Sequence, residues 1–61
     1  IGRMVVTGRY KYMLYDRGEN REQLIDLCRD PGEMRNAARD PGYRDVLDEH
    51  RALFVRVFGG G

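Results

Sequence analysis

Cysteine, histidine and lysine occur once each in this chain of 61 residues, as Cys28, His50 and Lys11. A lone cysteine excludes an internal disulfide. One cysteine and one histidine are too few for a structural zinc site. Apolar runs are short and 34% of the residues are charged, too many for a membrane span. No stretch reads as a signal peptide. Walker motifs, phosphate-binding glycine loops and nucleophile elbows are also missing. The lack of any staple matters because the chain is short. A domain of this size buries only about 60% of the surface its unfolded form exposes. At about 1.5 kcal/mol of lost entropy per ordered residue, its stability comes out near zero. Oligomerisation or a neighbouring domain is the expected missing support.

What is present is balanced. Eleven basic and ten acidic residues give a formal net charge of +1, and 41% of residues are hydrophobic, too many for a disordered tail. Ten of the eleven basic residues are arginine. They alternate with acids, as in Arg29-Asp30, Arg39-Asp40 and Arg44-Asp45. Mixed signs make a solvated surface rather than a positive field, so no nucleic-acid partner is expected.

Residues 3–7 (Arg-Met-Val-Val-Thr) and 10–15 (Tyr-Lys-Tyr-Met-Leu-Tyr) are rich in β-formers and flank Gly8-Arg9. A two-residue loop beginning with glycine predicts a type II′ hairpin, with Gly8 at positive φ. That register sets Thr7 opposite Tyr10, Val5 opposite Tyr12, Arg3 opposite Leu14, Val6 opposite Lys11 and Met4 opposite Met13. Residues 16–20 are polar and read as a loop. Residues 23–28 (Gln-Leu-Ile-Asp-Leu-Cys) predict a third, antiparallel strand, followed by a turn at Asp30-Pro31-Gly32-Glu33. Asp40 and Pro41 have the chemistry of a helix cap and first position. From there Tyr43, Val46, Leu47, Leu53, Phe54, Val57 and Phe58 form one helical stripe, with His50 on it. Gly59-Gly60-Gly61 ends the helix.

The predicted fold is α+β: a small antiparallel sheet of about three strands, with one C-terminal amphipathic helix packed across one face. Residues 1–58 form a single subdomain and 59–61 a glycine tail. Both sheet faces carry apolar side chains, and one helix covers only one of them. A second covering surface, another domain or another copy, is therefore expected. The interface candidates are Met4, Val6, Tyr10, Tyr12, Met13 and Leu14.

No catalytic or metal site is expected within the chain. Cys28 and His50 lack an orienting third residue and an oxyanion loop, so a nucleophile–base pair is not supported. Cys28 reads as a small apolar residue at a strand end. His50 reads as a partly buried histidine donating a hydrogen bond. Asp26, Asp30, Glu33 and Asp40 do not have calcium-loop spacing. Asp30 and Asp40 each precede Pro-Gly, where a turn or cap role accounts for them. In Arg9-Tyr10-Lys11-Tyr12, strand alternation sends cations and tyrosines to opposite faces, so they do not make one nucleic-acid platform.

Taken in order, several runs resemble the C-terminal segment of sulfatases, in the alkaline-phosphatase-like superfamily. They are Arg3-Met4-Val5, Thr7-Gly8-Arg9-Tyr10-Lys11-Tyr12, Gln23-Leu24-Ile25-Asp26-Leu27, Asp30-Pro31-Gly32-Glu33-Met34, Asn36-Ala37-Ala38, Val46-Leu47 and His50-Arg51. Three positions depart from that pattern. Ile25 replaces an aromatic, Cys28 stands where an acid is common, and Ala37 replaces a leucine; weaker core packing is expected at all three.

The resemblance implies a formylglycine and a calcium ion in a large N-terminal catalytic domain. This segment contains no C/S-x-P-x-R motif to supply the formylglycine. It implies a non-catalytic C-terminal subdomain packed against that domain. The alternative is a stand-alone oligomerising or protein-interaction module of the same fold.

Overall fold

The computed structural model describes residues 2–15 and 21–59. The predicted loop at 16–20, Ile1 and the last two glycines lie outside the described residues. Strands β1 (Gly2–Val6), β2 (Tyr10–Tyr15) and β3 (Glu22–Asp26) form one sheet in the order β1-β2-β3, antiparallel throughout. A 3₁₀ turn at Pro41–Tyr43 leads into helix α1 (Arg44–Phe58). This is the α+β arrangement expected from the sequence.

The hairpin register is the expected one, with Arg3 opposite Leu14, Met4 opposite Met13, Val5 opposite Tyr12 and Val6 opposite Lys11. The turn itself differs. Gly59 is the only described glycine at positive φ, so Gly8 does not make a type II′ turn. The loop is closed by its own flanking pair and braced from the segment after β3. The Thr7 amide donates to the Tyr10 carbonyl at 2.8 Å, and the Leu27 amide donates to the Arg9 carbonyl at 2.7 Å.

Strand β3 ends at Asp26 rather than at Cys28. The Asp26 side chain accepts the amides of Cys28 and Arg29 at 3.1 and 3.3 Å, which turns the chain away from the ladder. Cys28 therefore sits exposed in that turn, not at a strand end, and it takes nothing from core packing. The free edge of β3 is closed by the segment that follows. Asn36 Oδ1 accepts the amides of Leu24 and Ala38, its Nδ2 donates to the Glu22 carbonyl, and the Ala37 amide donates to the Leu24 carbonyl.

The helix forms where the stripe places it, but Asp40 and Pro41 open the 3₁₀ turn rather than α1, whose own first flanking residue, Tyr43, makes no side-chain capping bond. Asp40 Oδ1 accepts the Gly42 amide at 2.9 Å. Gly59, at φ 83°, lets its amide reach back to the Val55 carbonyl at 2.8 Å. The core under the helix is Tyr12, Leu24, Ala37 and Leu47, with Tyr10, Leu14, Ala38, Tyr43, Val46 and Phe54 packed around it. The rings of Tyr12 and Phe54 meet edge-on at 5.7 Å. Val57 departs from the predicted stripe and is more than half exposed. The last turn rests on Phe58 instead, whose ring takes the Arg3 guanidinium at 5.3 Å. No helix of the described residues is long and apolar enough to cross a membrane.

Candidate docking surface

Strand alternation divides the six interface candidates between two faces. Tyr10, Tyr12 and Leu14 share the covered face with Leu24, and α1 lies over them. Tyr12 is only 2% exposed, so it is not available to any partner. Met4, Val6 and Met13 lie on the other face, together with Lys11 and Ile25. Met4 and Val6 are about half exposed, and Met13 is partly buried. Tyr15 also lies on this face, its ring over Gly2, where a Cβ would come within 2.4 Å of it. Ile25 is buried there, and Lys11, its register partner, forms an ion pair with Glu33.

The covered face is tied to the rest of the chain by two acids that point under the helix. Asp26 is 3% exposed. Its Oδ1 accepts from Arg9 Nε at 3.1 Å, and its Oδ2 accepts from Arg9 at 3.0 Å and from the Tyr43 hydroxyl at 2.8 Å. One carboxylate thus joins the hairpin turn, the end of β3 and the start of the helix. The Arg9 hydrogen bonds, helped by Tyr43 and the Arg29 amide, hold this carboxyl well below the usual carboxylate range despite its burial.

Glu22 makes the second junction. Its carboxylate accepts from Arg51 Nε and a second Arg51 nitrogen at 2.6 and 2.7 Å, and from the Tyr12 hydroxyl at 2.6 Å. Arg51, and then Tyr12, lower the Glu22 carboxyl. Burial, and then the Glu22 carboxylate, push the Tyr12 phenol up.

The remaining candidates are occupied structurally. His50 is 5% exposed. Its Nδ1 lies 2.7 Å from the Val46 carbonyl, an acceptor only, so Nδ1 donates; Nε2 lies 3.0 Å from the Thr7 hydroxyl. Cys28 is free and exposed in the turn after β3. Asp30 accepts the amides of Met34 and Arg35 at 3.1 and 2.8 Å. Asp40 caps the 3₁₀ turn and pairs with Arg35 at 2.6 Å. A hollow of about 260 Å³ is lined by Asp26, Arg29, Asp30, Arg35, Asp40 and Tyr43 among others, and its carboxylates all hold donors already. Among the described residues no group of three or more His, Cys, Asp or Glu is placed to hold a metal ion.

Sequence periodicity missed the two acid junctions, although one signal was available. Glu22 and Asp26 share parity with Leu24, so both point inward, and an inward acid needs a partner.

The face that α1 leaves open is the only part of this small sheet with half-exposed apolar strand residues among those described. Comparison with known proteins finds sulfatases that match most of this chain. Over 52 residues, 85% of this chain, it is 56% identical to the Delta 4,5-hexuronate-2-O-sulfatase of Bacteroides thetaiotaomicron and covers 11% of that protein. A crystal structure of a protein assigned as a sulfatase, from the same species, matches with a TM-score of 0.79 at 50% identity. That match covers 90% of this chain and 12% of the other. No family model matches the chain. These relatives are sulfatases, and the match falls in their C-terminal region. The chain spans about a tenth of the length of the relatives it matches.

Proposed function

We propose that this chain is the non-catalytic C-terminal subdomain of a sulfatase-type sulfuric ester hydrolase, packed against the catalytic domain. The observation that carries the reading is the confinement of a 56% identity match to about a tenth of a sulfatase. The geometry is in keeping with it. Asp26, Glu22 and His50 are spent on holding the helical segment to the sheet and its hairpin loop, and one sheet face carries half-exposed apolar residues. On this reading the formylglycine nucleophile and the calcium site belong to the preceding domain, as do the residues that select the sulfate ester.

The test is the reading frame upstream of Ile1. A C/S-x-P-x-R motif several hundred residues earlier in the same frame is the expected result. An initiator methionine directly before Ile1 would refute the reading and favour a stand-alone interaction module.

A further inference from the structure

His50 joins α1 to the hairpin loop through a short chain of hydrogen bonds, and that chain can be completed in two ways. Nδ1 faces the Val46 carbonyl at 2.7 Å, which only accepts, so Nδ1 keeps its proton. Nε2 lies 3.0 Å from Thr7 Oγ1, and the same oxygen lies 3.3 Å from the Tyr10 carbonyl. A hydroxyl has one hydrogen to give and two lone pairs to receive with. With a neutral imidazole, the Thr7 hydroxyl donates to Nε2, and the Tyr10 carbonyl keeps the Thr7 amide at 2.8 Å. With a doubly protonated imidazole, Nε2 donates to Thr7 Oγ1 and the hydroxyl hydrogen turns to the Tyr10 carbonyl, which has a second lone pair to receive it.

We propose that the Thr7 hydroxyl is a two-position relay that lets His50 take up a proton in place, buried, with α1 still joined to the hairpin. The proton arrives from solvent at Nε2, the Thr7 O–H swings about its C–O bond, and no heavy atom moves. His50 is 5% exposed, and a charged ring so placed needs both of its N–H groups partnered. The rings of Tyr10 and Tyr12 face the imidazole from β2, with centroids at 5.3 and 6.4 Å. The charged groups of the neighbouring elements are engaged elsewhere: Asp26 with Arg9 and Tyr43, Glu22 with Arg51, and Arg3 over the Phe58 ring. On α1 itself Asp48 and Glu49 are exposed. The Asp26 and Glu22 carboxyls titrate below their usual range and the Tyr12 phenol above its own, so these groups hold their charge where histidines titrate. A proton gained at Nε2 is therefore met by Thr7.

The test is hydrogen–deuterium exchange at the imidazole C2 position of the native protein, whose rate reports the protonation state of the ring, followed by mass spectrometry from about pH 5 to 9. Trypsin cuts after Arg44 and Arg51, so His50 is read on the peptide 45–51, and backbone exchange of the same peptide reports whether α1 stays docked. The expected result is one titration of His50 with the backbone protection of 45–51 unchanged across it. In Thr7→Val the midpoint falls by about one pH unit, because the charged ring loses a bond about twice as strong as the one the neutral ring loses, and Thr7→Ser restores it. A ring that holds one protonation state throughout, or that gains a proton only as the backbone of 45–51 loses protection, overturns the relay in the unaltered protein. A midpoint that Thr7→Val leaves in place or raises overturns it as well, since a merely structural Thr7 would weaken both charge states alike.

Discussion

Asn36 offers the sharpest structural test, because one side chain seals the free edge of β3. Its Oδ1 takes the Leu24 amide at 3.0 Å, and Leu24 is fully buried. Truncation in Asn36→Ala leaves the amide of this fully buried residue without its acceptor, which costs about 1–3 kcal/mol. The other two bonds, from the Ala38 amide and to the Glu22 carbonyl, lie at exposed positions where water replaces the lost partner. Asn36 is itself exposed, so little buried area is lost with it. A domain of this length has a total stability of about 3–9 kcal/mol, so the loss is a large share. With a urea slope of about 1 kcal/mol/M for so small a chain, the midpoint should fall by about 1–3 M. Asn36→Asp keeps the acceptor for both amides and loses only the donation to Glu22, so its midpoint should fall less. Equal shifts for the two variants in urea titrations followed by circular dichroism would refute the assignment of Asn36 as the edge seal.

Three further outcomes follow from the same contacts. Leu47 lies in the core and Asp48 beside it is exposed, so Leu47→Ala should cost about 2–5 kcal/mol while Asp48→Ala stays within about 0.5 kcal/mol; equal effects in denaturant titrations would overturn the orientation of α1. Asp26 and Glu22 both titrate lower when folded than when unfolded. Their contribution is complete above the ordinary carboxylate range near pH 4 and is lost as pH falls below it, because the unfolded chain then binds more protons. Melting between pH 7 and 3 should show this decline, with a shallower slope for Asp26→Asn; an unchanged slope would remove Asp26 from the account. The purified chain should not hydrolyse aryl sulfates with or without calcium, and turnover that follows the chain through purification and is lost on changing Cys28 or His50 would contradict a structural role for both.

Much of the fold could be read from residue order. Alternation on either side of a two-residue loop fixes the β1–β2 register, since a one-residue slip would exchange both faces. The helix was legible from its stripe and from Gly59, while Asp40 and Pro41 mark the 3₁₀ turn that leads into it. The turn type was not: Gly8 does not take positive φ, and the Arg9 carbonyl is taken by the Leu27 amide, a contact from outside the hairpin that local sequence does not reveal. Nor was the end of β3, where the apolar pattern runs on through Leu27 while the Asp26 side chain has already captured the next two amides.

The covered face could not be chosen from pattern alone, because both faces are apolar. Aromatic packing decides it: Tyr10 and Tyr12 meet Tyr43, His50 and Phe54, which leaves Met4 and Met13 on the other face. The junctions Arg9–Asp26 and Arg51–Glu22 join residues far apart in sequence, which periodicity does not see. Asn36 was visible only through its place in the sulfatase-like run, and the structure gives that residue its physical reason.

The central claim is that this sheet has an apolar face needing a partner from outside the segment. In the isolated chain, the open face and the outer edge of β1, which pairs only with β2 among the described residues, should bring copies together. Sedimentation equilibrium of the isolated chain from micromolar to millimolar concentration measures this directly. The account predicts a mass rising above the 7.1 kDa monomer, with a melting temperature that climbs with concentration. A clean monomer across that range, melting at a concentration-independent temperature, would contradict it.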